Sequence, residues 1–295
     1  MSDKEIFYDW WKKHGCRGIS FCEINYSKLP KKILREYVKE FRKQNTTKKK
    51  QRIVQINDLH IPFHDKRTLE IFYKFLSDVR VDQLVIAGDL LDFYELSSFD
   101  KDPKRKFTIQ DEIDQSYEIL KEFKVHCPEI HFIKGNHENR LKKFLWKNPS
   151  LASIKVLELP SLLNLDSLGI EYHDFEYIFR NFRFTHGSIV RQDGGASAKA
   201  ELLKYGSNTS SGHTHRLAIF MKTDARGTVF AGEGGCMCGL TPEYIPGTPN
   251  WQQGFLTFDF DGDRFFGQAV PILDHKFIYG SKKYKWYLTM MSKTI

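Results

Sequence analysis

Five short strand-type runs in this chain, the first three of them apolar, are each followed by a polar cluster, and that repeated junction restricts the fold more than any other feature. Ile53-Val54-Gln55-Ile56 runs into Asn57-Asp58-Leu59-His60, and residues 84–87 run into Gly88-Asp89-Leu90-Leu91-Asp92. Residues 130–133 lead, past Lys134, into Gly135-Asn136-His137-Glu138. Residues 182–185 precede His186-Gly187, and residues 209–211 precede Gly212-His213-Thr214-His215. Short apolar runs bounded by glycine and polar residues read as buried strands. Amphipathic stretches at residues 69–79, 113–125 and 141–146 follow the first three, and strand alternating with helix predicts an α/β domain. In such domains the carboxyl edge of the sheet is where ligands bind, and all five junctions fall there.

The later half reads differently. Residues 179–184, 217–223 with a turn at 224–227, and 255–260 with the turn Asp261-Gly262-Asp263 predict hairpins. A mixed sheet, or two sheets packed together between helices, is the expected architecture.

The polar residues at the junctions are two Asp, one Asn and several His, an oxygen and nitrogen set without thiolate. Such a set suits borderline divalent metals rather than soft ions or calcium. Asp58 and His60, two apart on a segment read as extended, are expected on one side, as are His213 and His215. One ion would then be held by Asp58, His60 and His215, and a second by Asn136, His186 and His213. Asp89 is the natural bridge, since one carboxylate spans ions about 3.5–4 Å apart. Burying seven such groups without a cation would leave costly unsatisfied atoms.

The ordered set Asp58-x-His60, Gly88-Asp89-x-x-Asp92, Gly135-Asn136-His137-Glu138, His186 and Gly212-His213-x-His215 resembles the calcineurin-like metallophosphoesterase superfamily over roughly residues 52–235. The resemblance implies a four-layer sandwich, two mixed β-sheets flanked by helices. It also implies two ions bridged by Asp89 and a hydroxide that attacks phosphorus in line, with nearby cations neutralising the phosphoryl oxygens. On the same ground His137 assists the leaving oxygen and Glu138, where many members carry Asp, orients its ring. Arg140 is a candidate phosphate contact or, equally, a helix-surface arginine. Phe93 and Lys134 stand where phosphoprotein phosphatases carry arginine, which disfavours that subfamily. The Gly-Asn-His-Glu-Asn-Arg string, residues 232–240 and Trp251-Gln252-Gln253-Gly254-Phe255 resemble phage- and prophage-type members that are DNA-repair-exonuclease-like. His64, four residues after His60, is placed at the site mouth or, by preference, on the loop surface, while His14, His126, His131, His173 and His275 lack partner spacing and read as structural or exposed.

Charge separates the chain into residues 1–50 and 51–295. The first fifth holds 14 Lys/Arg against 6 Asp/Glu, while the remainder holds 31 of each, so the whole net charge of +8 belongs to the first segment. That segment predicts a basic helical arm: Ile33, Leu34, Tyr37, Val38 and Phe41 recur at helix spacing after Pro30, and residues 44–50 read as a linker. Phe7, Tyr8, Trp10 and Trp11 form an aromatic patch, expected to dock on the main domain or stack on bases. A basic arm fits an acidic partner such as nucleic acid. No run of 18 apolar residues and no signal-type N-terminus is present, so a cytoplasmic protein outside the membrane is expected. The five cysteines, Cys16, Cys22, Cys127, Cys236 and Cys238, are expected to be reduced, with the Cys-Met-Cys string filling tight space.

The functional expectation is a two-metal phosphoester hydrolase, a nuclease or phosphodiesterase acting on nucleic acid. Mn²⁺ is the first choice of ion, with Zn²⁺, Fe and Ni²⁺ as alternatives. The competing readings are a phosphomonoesterase or small-nucleotide hydrolase whose arm serves oligomerisation, and a non-catalytic scaffold. The scaffold reading is weakened because none of the expected ligands is missing.

Overall fold

The structure, a computed structural model, describes residues 2–13, 26, 28–46, 50–101, 105–225, 227–241 and 247–287. Cys16, Cys22, His14 and residues 47–49 of the expected linker lie outside the described residues, as do the side chains of Phe41 and its successors in the same helix, which continues through residues 44–46 where the linker was expected. The chain divides into two compact units, residues 1–51 with 260–265, and residues 52–259 with 266–295.

In the larger unit, β1 (Gln51–Ile56), β2 (Gln83–Ile86), β3 (Glu129–Ile133) and β4 (Glu171–His173) run parallel. With β10 (Gly254–Asp261) and β11 (Arg264–Pro271) they form one sheet, ordered β11-β10-β1-β2-β3-β4. The second sheet is ordered β5-β6-β7-β9-β8, from β5 (Glu176–Phe179), β6 (Phe182–Thr185), β7 (Asn208–Ser211), β8 (Leu217–Asp224) and β9 (Gly227–Gly234). Strands β6, β7 and β9 are parallel, while β5 and β8 turn back as hairpins at the turns expected near Arg180 and Asp224. A last hairpin joins β12 (Lys276–Tyr279) to β13 (Lys282–Lys285).

The two sheets meet face to face through Phe182, Phe184 and Phe230 against Phe258, with ring centroids 4.7, 5.4 and 5.8 Å apart. Helices α3 (Lys66–Asp78) and α4 (Ile109–His126) cover the outer face of the first sheet, where Phe72 packs on Phe123 and Phe255. Helix α6 (Ala196–Tyr205) covers the second, burying Ala198 and Leu202 against Val229 and Ala231. Helix, sheet, sheet, helix is the four-layer sandwich that the family resemblance implies, and one of the two arrangements that the strand pattern left open. Strand β2 is buried along its whole length because parallel strands covered on both faces have no solvent side. The helix starts are written locally: Asp65 accepts from the Arg67 and Thr68 amides to begin α3, and Thr108 with Asp111 forms a capping box at α4. Helix α5 (Glu138–Lys147) starts directly at His137.

The N-terminal unit contains α1 (Asp3–Lys13) and α2 (Lys31–Thr46). The aromatic patch lies differently from expectation. Phe7 and Trp11 are buried with Tyr26, Leu34 and Val38 in a small core of their own, because α1 and α2 each have an apolar stripe to cover. Those two rings are therefore internal and do not serve as stacking platforms. Among the described residues no helix is long and apolar enough to cross a membrane.

Candidate metal centre

Strands β1, β2 and β3 of one sheet and β6 and β7 of the other carry the five polar junctions to one place. Their loops are tied together by backbone hydrogen bonds: the Asp58 amide donates to the Gly88 carbonyl, and the His60 amide donates to the Asp89 carbonyl. The approach is so close that side chains are excluded. A Cβ on Gly135 would stand 2.1 Å from Asp89 Oδ1, and Gly88 holds a φ of +87° against His186.

Asp58, His60, Asp89, His213 and His215 have φ values of 53°, 48°, 50°, 71° and 57°. The expectation that the Asp-x-His and His-x-His pairs are extended is thus corrected. Both pairs lie on left-handed backbone, which costs a non-glycine residue about 1–3 kcal/mol and persists where the surroundings impose it. His213 and His215 moreover diverge. His215 joins Asp58 and His60 in one group of donor atoms, while His213 joins Asp89 and His186 in another.

In the first group, His215 Nε2 lies 3.0 Å from His60 Nε2 and 3.4 Å from Asp58 Oδ1. In the second, His186 Nε2 lies 2.8 Å from Asn136 Oδ1 and 3.4 Å from Asp89 Oδ2. Asp89 Oδ2 is also 3.8 Å from His60 Nε2, so its carboxylate stands between the groups. Asn136 is the solvent-facing member, whereas Asp58, His60, Asp89, His186 and His215 are buried.

Donor chemistry provides a test of whether a divalent ion fits. The Ala87 carbonyl, 2.8 Å from His186 Nδ1, can only accept, so Nδ1 carries the proton. In the neutral ring Nε2 then presents a bare lone pair towards the oxygens of Asn136 and Asp89, three acceptors converging on one point. The backbone partner on the far nitrogen is the usual way a ligand imidazole is aimed. Donor separations of 2.8–3.8 Å are also those spanned by a coordination shell with ion–ligand bonds of about 2.0–2.2 Å. Electrostatics agree. Burial works against charge on both rings, yet Asp89 lifts His186 to about 10 and Asp58 lifts His215 to about 10. Burial likewise opposes ionisation of Asp89, but His186, His137 and His60 hold its pKa well below the ordinary range. The carboxylates call for positive charge at both groups, whether a proton's or an ion's. The residues fit divalent-metal binding.

His137 stands beside this set, its Nε2 3.8 Å from Asp89 Oδ2 and its amide donating to Asp89 Oδ1 at 2.9 Å. Its Nδ1–H donates to the Asp92 carbonyl at 3.0 Å, with Asp92 Oδ2 at 3.5 Å. Arg140 donates to His137 Nε2 at 3.1 Å and to the Asp92 carbonyl and carboxylate at 2.7 and 3.2 Å.

Two sequence expectations change here. Glu138 does not orient His137. Its carboxylate accepts the amides of Gly135, Asp89 and Leu91 at 2.7, 3.0 and 3.0 Å, because it opens α5 directly beneath the Gly-Asp loop. Burial, followed by the charge of Asp89, raises its pKa to about 7. The partner of His137 is Asp92, which the sequence reading held only as a motif position. Arg140 is neither a free phosphate contact nor a plain surface arginine, being folded onto Asp92 and His137.

Asn57, to which the sequence pattern assigns no role, is a further part of the site. It is buried, donates to Asp58 Oδ2 and the Gly235 carbonyl at 2.5 and 2.6 Å, and accepts from Gln55 at 3.1 Å. Its place directly before Asp58 was the available signal. Behind His215, Trp251 packs edge-on at 4.1 Å between ring centroids and Cys238 Sγ lies 4.0 Å from Nδ1. Cys127, Cys236 and Cys238 are free and buried.

A model of the calcineurin-like phosphoesterase family matches residues 51–217. The Gene 54 protein of Mycobacterium phage L5 is 28% identical over 244 residues, covering 77% of this chain and 95% of that protein. The Gene 54 protein of Mycobacterium phage D29 is 28% identical over 243 residues with the same coverage. Among solved structures, Vacuolar Protein Sorting 29 from Cryptosporidium parvum aligns with a TM-score of 0.46 at 16% identity, over 80% of this chain and 98% of its own.

Proposed function

The chain belongs to the calcineurin-like phosphoesterase family, and from that premise we propose that it is a cytoplasmic nuclease or phosphodiesterase acting on nucleic acid with two divalent ions, Mn²⁺ first. The observation that carries the reading is the pair of donor groups flanking the single carboxylate of Asp89. Asp58, His60 and His215 would hold one ion, and Asn136, His186 and His213 the other, with Asp89 shared. When bound, the ions supply Lewis-acid charge for the phosphoryl oxygens and a water of lowered pKa as nucleophile.

The chain's own groups do the rest. Asp92 fixes the His137 ring by taking Nδ1–H, so that once Arg140 has moved off Nε2 and the ring has taken up a proton from solvent there, Nε2–H would donate that proton to the leaving oxygen. Arg140 occupies Nε2 in this structure, so substrate entry exchanges that donor for the leaving oxygen and frees guanidinium charge beside the phosphate. Asn57 and Glu138 hold the ligand-bearing loops.

Nucleic acid is favoured as substrate by the basic first segment, whose helix α2 exposes Lys31, Lys32 and Lys39. The balanced charge of residues 51–295 favours a second reading, a phosphomonoesterase or small-nucleotide hydrolase. Turnover of a phosphodiester, a phosphomonoester and DNA and RNA oligonucleotides, each with Mn²⁺, Zn²⁺, Fe²⁺ and Ni²⁺, separates the two. Cleavage of the diester and an oligonucleotide is expected, with Mn²⁺ most effective. Strict preference for the monoester overturns the nuclease reading.

A further inference from the structure

A second convergence of imidazole and carboxylate lies away from the polar junctions, on residues that sequence spacing left without partners. Strands β3 and β4 pair His131 with Glu171 and Ile133 with His173. The two-residue alternation of a strand puts Glu129, His131, Glu171 and His173 on one face. His131 is 1% exposed and stacks on Tyr177 of β5, with ring centroids 3.6 Å apart and planes 14° apart. Tyr177 in turn donates to Gln83 Oε1 at 3.0 Å, which fixes the stacking platform.

The hydrogen bonding of His131 decides what its ring offers. Nε2 lies 3.0 Å from Glu129 Oε1, and a carboxylate can only accept, so Nε2 carries the proton. Nδ1 is then a bare lone pair. It points at His173 Nε2, 3.1 Å away, and at Glu171 Oε2, 3.7 Å away. All three donor atoms lie within 4.8 Å of one another. Around a tetrahedral zinc ion with bonds of about 2.0–2.1 Å, neighbouring ligands stand roughly 3.3 Å apart, so these separations need only small adjustment. A carboxylate on the far nitrogen of a ligand imidazole is the arrangement that aims metal-binding histidines.

We propose that His131, His173 and Glu171 form a separate binding site for a single borderline divalent ion, Zn²⁺ by its two-imidazole, one-carboxylate chemistry, with Glu129 orienting His131. Two nitrogen donors exclude Ca²⁺ and Mg²⁺, which take oxygen shells. The Glu129 and Glu171 side chains are each 52% exposed, so an ion reaches the site from solvent and a water completes its shell. The role that follows is structural. Strand β4 is the edge strand of its sheet and pairs with β3 over three residues. An ion held by both strands clips that short edge in place. The proposal does not depend on the reading of the central site.

Equilibrium dialysis of the full chain against Zn²⁺, followed by elemental analysis, tests it. The wild type is expected to retain one equivalent more than His173→Gln, and Zn²⁺ is expected to raise its Tm more than that of the variant. Because His173 packs against a buried ring, Glu171→Gln on the exposed rim serves as the second variant. It should weaken the same equivalent at least tenfold while leaving phosphoesterase turnover unchanged. Asp89→Asn should lower the other equivalents and spare this one, which keeps failure here distinct from failure at the central site. Equal zinc content in wild type, His173→Gln and Glu171→Gln would show a plain Glu129–His131–His173 hydrogen-bond chain and overturn the proposal.

Discussion

His137 shows how little a single side chain is free to do in this protein. Its amide is bound to Asp89, its Nδ1 to the Asp92 carbonyl and its Nε2 to Arg140, so the ring has one orientation and one tautomer. Its Nε2 also lies within reach of the His60 and Asp89 donors, but Arg140 occupies it and neither proposed ion's ligand set includes it. Replacing His137 with Ala is therefore expected to leave two ions per chain by elemental analysis while lowering kcat about 10²–10⁴-fold, the usual worth of a positioned proton donor. Retained activity would remove its assigned role. Asp89→Asn is expected to act the other way round. The amide keeps the shape but loses the charge shared by both donor groups, so both equivalents should weaken together in a metal titration. Loss of one ion alone would show that Asp89 does not bridge.

At the scale of loops and helices, the polar junctions work because something holds strained backbone still. Glu138 gathers three amides from the Gly88–Leu91 and Gly135 turns around one buried carboxylate. Glu138→Gln places an NH₂ group against donors, leaving buried amides unpaired at about 1–3 kcal/mol each. A drop of several kcal/mol in unfolding free energy is expected by denaturant titration, along with weaker ion binding. An unchanged midpoint would mean the loops are held elsewhere. This clamp also marks where sequence reading stopped. Which residue types reach the carboxyl edge was legible from Asp58 to His215, because strand ends can be found by apolar pattern. Alternation followed by hairpins left a mixed sheet or two packed sheets open, and the family resemblance pointed to the four layers. The left-handed conformation of Asp58, His60, Asp89, His213 and His215 was not legible, since nothing in an Asp-x-His string distinguishes extended from left-handed backbone. The exchange of roles between Glu138 and Asp92 was hidden for a related reason: it depends on where α5 begins relative to a loop 45 or more residues earlier. His131 and His173 met only through strand pairing, which single-residue spacing does not reveal.

At the scale of the whole molecule, charge and chemistry are placed in different parts of the chain. The donor groups sit in a segment with equal numbers of acidic and basic residues, and the surplus of eight positive charges lies in residues 1–50. The proposed nucleic-acid substrate gives such a segment a use, since cations neutralise phosphates along a polyanion. With Phe7 and Trp11 buried in the small core of that unit, the proposed contact with nucleic acid rests chiefly on its cations. Each Lys that neutralises a phosphate releases a counterion and adds up to about 0.9 to the slope of log K against log salt on duplex DNA. Lys31, Lys32 and Lys39 are exposed on α2, and changing all three to Gln leaves the Leu34 and Val38 stripe intact. The triple variant is expected to bind DNA more weakly at low salt, with a slope shallower by up to about 3, and to converge on the wild type at high salt. Its turnover of a small diester should be unchanged, because no altered residue belongs to the donor groups. If binding and slope both stay the same, the basic segment is not the nucleic-acid handle. If the small-diester rate falls with them, the two parts of the chain are coupled in a way that charge alone does not explain.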